Sequence, residues 1–224
     1  MSTQSSPFIT LQEWTSPVEE QQDLGSCTAQ AVVGAYELLL NKLYPDKFIE
    51  LSRLFLYYNA RKIANQVEKD VGAYIVDAMR ALRDYGICTE ELWPYDTAKF
   101  NVMPTTASYL DARKRTISRA YEVLDVDSII RMLEEGKPVV FGTDVYRSFN
   151  NITNSDFILK MPDSGEEPMG SHAMCIIGYD ASSKLFQVRN SFGDDWGNKG
   201  QCMIPYEYAK NNFSDMWTFD IKVK

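Results

Sequence analysis

From Ser26 to Leu43 the chain is apolar on almost every side of a helix, with Ala29, Ala31, Val32, Val33, Ala35, Tyr36, Leu38, Leu39, Leu40 and Leu43. A helix with no polar face belongs in the middle of a protein, so the remaining elements must wrap around it. The run stops before Pro45, and Ser52 opens a second helical stretch that holds Leu54, Phe55, Tyr57, Tyr58 and Ile63. A third is expected from Tyr74 to Tyr85, with Ile75, Met79 and Leu82 on one face and Gly86 as its stop.

After about Arg113 the periodicity changes. Short β-type runs follow at Ile117 to Val123, Val139 to Thr143, Ala173 to Tyr179, Leu185 to Asn190, Gln201 to Pro205 and Trp217 to Val223. One helix, Asp127 to Glu135, is expected among them, ending at Gly136. The polar stretch between Asp144 and Ser171 exceeds an ordinary connection and reads as a functional or mobile loop. The fold class is therefore α+β. A helical half followed by a sheet half gives two lobes, with the default ligand site in the cleft between them.

With 224 residues, 45% apolar and 24% charged, the chain can bury an adequate core. Its net charge of -8 argues against binding driven by nucleic-acid phosphates or anionic lipid. The polar Met1-Ser2-Thr3-Gln4-Ser5-Ser6 has no signal-peptide pattern, and no apolar run reaches the ~20 residues needed to span a bilayer. The four cysteines, Cys27, Cys88, Cys175 and Cys202, are widely spaced and read as reduced thiols in a cytosol-like compartment. With a single histidine and no C-x-x-C pair, a structural zinc site is not expected. Asp194-Asp195 offer a cation contact or, more simply, solvated turn residues.

That single histidine, His172, heads an apolar strand, and any imidazole chemistry must pass through it. Cys27 is delivered by a polar, glycine-containing turn to the start of the apolar helix, where the macrodipole favours a thiolate. Asn190 closes a strand soon after the histidine. Taken singly, these would be a buried thiol, a core histidine and a turn residue. Together they supply a nucleophile, a base and a group to orient that base. Gln21 adds an amide that, with the backbone N–H of Cys27, can form an oxyanion hole.

In this pattern the chain resembles the papain-like cysteine peptidases. Pro17 to Cys27 resembles their entry to the catalytic helix, Ser171-His172-Ala173 through Gly178-Tyr179 their histidine strand, and Asn190-Ser191-Phe192-Gly193 with Trp196-Gly197 and Gly200 their asparagine motif. Gly72-Ala73-Tyr74, leading to Ala81 through Ile87, resembles the substrate-binding edge and its helix. His172 follows Cys27 by 145 residues and Asn190 by 163, against the ~130–150 typical of papain relatives. The resemblance implies a two-lobed fold, with residues 19–112 forming a helical lobe and residues 1–18 with 113–224 a β-rich, barrel-like one, and an endopeptidase that needs no cofactor, with Cys27, His172, Asn190 and Gln21 as its catalytic set. Gly25, Ser26, Gly72, Ala73, Ser171 and Trp196 would bind substrate. Implied partners are polypeptide substrates and a protein inhibitor, with neither nucleic acid nor membrane, acting on a monomer.

There are departures. Leu24 stands where the family has a disulfide cysteine, which fits a cytoplasmic or other reducing compartment, a virus particle, or export without a classical signal. Thr28 replaces an aromatic residue, Phe192 replaces tryptophan, and Gln22 stands where relatives often carry glycine. Only about 16 residues precede Pro17, as in microbial or viral members that lack a long prosegment. Two alternatives use the same site: a weak or inactive peptide-binding module, and a thiol acyltransferase or deamidase.

Overall fold

A computed structural model describes residues 7–147, 149, 152 and 156–224. The apolar stretch forms helix α1 (Cys27–Leu43), buried from Thr28 to Leu38 and again at Leu40. It packs against α2 (Arg53–Ile63), α3 (Ile75–Asp84) and the sheet. Ser52 caps α2 by accepting the Phe55 N–H at 3.1 Å. Gly86 ends the α3 turn at φ +80°, where a Cβ would lie 2.0 Å from the Ala112 carbonyl oxygen, so only glycine fits. A fourth helix, α4 (Thr106–Ala112), was not apparent from the sequence; Thr105 caps it by accepting from Ser108 N at 3.2 Å.

The second half contributes β2 (Arg115–Glu122), α5 (Val126–Glu134), β3 (Val139–Val145), β4 (Gly170–Asp180), β5 (Leu185–Arg189), β6 (Gln201–Pro205), α6 (Tyr206–Asn212) and β7 (Phe213–Val223). All strand pairings are antiparallel, in the order β2-β7-β3-β4-β5-β6. A short β1 (Phe8–Thr10) pairs with the last residues of β4, Gly178 to Asp180, continuing the edge that β3 occupies from Gly170 to Ile176. The fold is α+β.

The expectation of one helix among the strands is corrected by α6, which turns the chain between β6 and β7. Its sequence, YEYAKNN, is too short for a helical period to stand out. β7 starts at Phe213, four residues before the expected Trp217, because exposed Ser214 and Asp215 interrupt the apolar alternation. One continuous apolar core runs from α1 into the sheet, with Tyr36 stacked near Phe219 at 6.1 Å between ring centroids. Among the described residues no helix is long and apolar enough to cross a membrane.

Candidate active site

Cys27 is the first residue of α1 and is half-buried. The N-cap residue, Ser26, gives the helix no side-chain cap; its Oγ instead meets Tyr95 Oη at 2.6 Å. The backbone N–H groups of Cys27 and Thr28 are thus left to the sulfur, and the Ala173 N–H from β4 joins them; all three hold its pKa down. Burial is nevertheless the largest influence and pushes the thiol above its ordinary value. The N–H groups at the helix start favour the thiolate, as the sequence suggests, but desolvation outweighs them for Cys27 taken alone.

His172 sits third in β4, opposite Thr143 of β3. Its Nε2 lies 2.7 Å from Asn190 Oδ1, and burial lowers its pKa to about 4, against which the Asn190 contact works. Asn190 follows β5 and is fixed by its N–H to the Gly200 carbonyl at 2.9 Å. Phe192 stacks on the imidazole at 4.8 Å and 30°, and Phe149 meets it edge-on at 5.7 Å. Trp196 backs both, 5.2 Å from Phe149 and 6.0 Å from Phe192. Phenylalanine at 192 therefore shields the His172–Asn190 contact with help from two further rings.

Gln21 is buried and held at both ends of its amide: Ser191 Oγ donates to Oε1 at 2.7 Å, and Nε2 donates to the Leu24 carbonyl at 3.1 Å. An amide nitrogen carries two hydrogens, so one N–H remains for a ligand. The segment leading to Cys27 and the segment after β5 are stitched together by Gln21 N to Ser191 O and Gly193 N to Glu19 O, both 2.9 Å. Beneath them Arg189 is buried and donates to Ser16 O at 2.7 Å, Pro17 O at 2.5 Å and Glu19 Oε2 at 2.6 Å.

A groove of about 530 Å³ opens beside Cys27, lined by Thr28, Gly72, Ala73, Thr143, Asp144, Ser171, Ala173 and Asp215 among others. Its edge is tied to the cysteine turn through Asp70, whose carboxylate accepts from Gly25 N at 3.1 Å and from the Tyr57 hydroxyl. A Cβ at Gly25 would press on Asp70 Oδ1 at 3.0 Å. Thr28 donates to the Ala73 carbonyl at 2.7 Å and anchors the same edge.

The structure thus brings Cys27, Gly72, Ala73 and Ser171 to one groove, with Gly25 against its rim. Ser26 is fully buried, and Trp196 lies in the aromatic cluster; neither lines the groove. Gln22 is exposed at φ +57°, a conformation that glycine adopts more easily. Asp194 and Asp195 are exposed, and no cluster suited to a metal occurs among the described residues. Cys88, Cys175 and Cys202 are buried free thiols, Cys88 and Cys175 pushed to about 12 by burial. Glu19, Arg189 and Phe149 escaped sequence reasoning. Phe149 stands in the polar loop, where no local pattern sets it apart from the neighbouring Tyr146 and Phe157.

Residues 10–218 match the sequence model of the family described as papain family cysteine protease. The chain is 37% identical over 224 residues to an uncharacterized peptidase C1-like protein of Acanthamoeba polyphaga mimivirus, covering 94% of this chain and 71% of that protein. It is 29% identical over 199 residues to cathepsin K of Gallus gallus, covering 85% of this chain and 55% of the relative. Among solved structures, xylellain, a cysteine protease from Xylella fastidiosa, superposes with a TM-score of 0.90 at 32% identity, covering 97% of this chain and 87% of that one.

Proposed function

For a chain that belongs to the papain family of cysteine proteases, we propose endopeptidase activity through Cys27, His172, Asn190 and Gln21. The observation that carries this reading is the 2.7 Å contact of His172 Nε2 with Asn190 Oδ1 beneath Phe192, on the strand whose next N–H, that of Ala173, meets the Cys27 sulfur. With Nε2 engaged, Nδ1 is the ring nitrogen free to exchange a proton with the thiol. Burial disfavours a lone thiolate and a lone imidazolium alike. Proton transfer from Cys27 to His172 creates both together, as an attracting pair, and leaves the net charge unchanged.

The sulfur then attacks the peptide carbonyl carbon. The developing oxyanion takes hydrogen bonds from the free Gln21 N–H and the Cys27 backbone N–H. The imidazolium returns its proton to the leaving amine, and the imidazole next activates water to release the acyl group. Asn190 Oδ1 keeps the ring in place throughout. Gly72, Ala73 and Ser171 would contact the substrate backbone along the groove.

A peptidyl epoxide tests the reading: it should alkylate Cys27 alone, and Cys27→Ala should lose about 10⁵–10⁶ in turnover with the melting temperature preserved. Absence of labelling would favour the binding module. Labelling with acyl transfer to added amines in place of hydrolysis would favour the transferase.

A further inference from the structure

Where α1 packs on β4 and the segment around Asn190, the packing leaves a cavity of about 10 Å³ lined by Glu19, Gln30, Gly34, Arg189 and Asn190 among others. Three of these buried side chains each carry one polar atom without a hydrogen-bond partner among the described residues: Asn190 Nδ2, Gln30 Oε1 and Glu19 Oε1.

The surrounding hydrogen bonds fix which atoms these are. The Tyr95 hydroxyl donates to the Gln21 carbonyl at 2.9 Å, so the 2.6 Å contact between Tyr95 and Ser26 is donated by Ser26. Ser26 Oγ then accepts from Gln30 Nε2 at 3.1 Å, which leaves Gln30 Oε1 as the unmatched acceptor. Asn190 Oδ1 is occupied by His172, leaving the Nδ2 donor. Glu19 Oε2 takes Arg189 at 2.6 Å, while Oε1 stands 3.7 Å from Arg53 Nη2, beyond hydrogen-bond reach.

We propose that this cavity binds one water molecule, which accepts from Asn190 Nδ2 and donates to Gln30 Oε1 and Glu19 Oε1, making Glu19 and Gln30 positioning residues for Asn190. One donor and two acceptors on the protein match the one acceptor site and two hydrogens that the water would use. A buried water needs roughly 10–15 Å³ of such space and two to four polar partners. A cation does not fit, because Asn190 presents an N–H, and the Glu19 charge is already paired with Arg189. The consequence for the site rests on the proposed role of Asn190. An amide pinned at Nδ2 cannot flip, and a flipped amide would turn a donor toward the imidazolium.

Gly34→Ala is the probe. A Cβ there makes only ordinary contacts, 3.6 Å from Arg189 Nε and 3.7 Å from Glu19 Oε1, so it fits the protein while taking room from the cavity. Crystal structures, melting temperatures and kinetics of wild type and variant are compared. The wild type should show density within about 2.6–3.2 Å of all three atoms. Gly34→Ala should lose that density, melt lower, and drop in kcat by about fivefold, the worth of one net hydrogen bond, with KM moved by less than about twofold. Gln30→Met, which removes the Oε1 acceptor together with the Nε2 bond to Ser26 at similar volume, should lower kcat at least as much.

A wild-type cavity without density overturns the proposal. So does a Gly34→Ala melting temperature raised by about 2–4 °C, the ordinary gain from alanine in a helix interior. Water lost with kcat intact overturns the positioning role. Density and melting are independent of turnover, so a chain that holds the water yet cleaves nothing refutes the peptidase reading and leaves this site standing.

Discussion

Behind Cys27 and His172, the side chains of Gln21, Glu19, Arg189, Asn190 and Ser191 are all buried, Arg189 bonded to Glu19, Ser191 to Gln21 and Asn190 to His172, whereas in front of them Val71, Tyr74, Asp144, Ser171 and Ser214 stand exposed along an open groove. The rear is a set of polar groups taken out of water, which survive there only because nearly every one has a partner. The front makes no such demand. Geometry is therefore set from behind, and the groove is left free to change with the substrate. Substitutions in the rear should lower stability and kcat, and those in front should alter KM.

The largest effect is expected at Arg189, which has four acceptors on residues 16–19 and a side chain only 4% exposed. Arg189→Met fills similar space but strands the Glu19 carboxylate, and breaking a buried pair from one side costs about 3–5 kcal/mol. For a chain of this length that lowers the melting temperature by roughly 10 °C. A loss of a degree or two, read by calorimetry, would mean that the rear is held by apolar packing alone.

Gln21 comes next. Gln21→Ala should reduce kcat by about 10²–10³ while KM changes little, since one oxyanion donor is removed. Steady-state kinetics giving a raised KM with intact kcat would move Gln21 from the rear to the substrate-binding front.

The single imidazole gives a third test. In Cys27→Ala no thiol is present to share a proton, so His172 should titrate near the value that burial dictates, about 4. The unfolded chain takes up that proton near 6.5. Between these pH values the unfolded state binds more protons, so stability falls as pH drops through the window, by about 3 kcal/mol in all, and is fully present above 6.5. Glu37 acts in the opposite direction: burial and Glu19 raise its carboxyl to about 7, so its contribution is lost as pH rises. Comparing Cys27→Ala with the Cys27→Ala/His172→Gln double variant cancels Glu37. An NMR titration placing the imidazole at 6.5 or above would show that the rear is wetter than its packing implies.

The sequence exposed the front and the reacting groups more readily than the rear. Cys27, His172, Asn190 and Gln21 sit in local motifs, each with a turn or strand that makes sense over a few residues. Glu19 and Arg189 acquire meaning only by meeting across 170 positions, and nothing local distinguishes them from solvated charges. Phe149 is invisible to periodicity for the same reason. The long helices and strands were legible from apolar spacing; β1, α4 and α6 were not, because three to seven residues cannot show a period. The dipole argument for Cys27 was sound in sign, but burial, a tertiary quantity, was larger.

The smallest effect belongs to the front. Ser171 is exposed, and its hydroxyl donates to Asp144 Oδ1 at 3.0 Å, a bond that water replaces when the hydroxyl is removed. Ser171→Ala should thus alter stability by no more than about 0.5 kcal/mol, a shift of roughly 1–2 °C in melting temperature. Asp144 is freed to turn toward the groove, so KM for peptides should change, by less than about threefold, with kcat constant. The adjoining His172 makes this a demanding test, because only one peptide bond separates a front residue from a rear one. They point to opposite faces of β4, as successive strand residues do. If Ser171→Ala lowers kcat and leaves KM alone, the groove shares in holding the imidazole, and the division between front and rear fails at the place where it is drawn most finely.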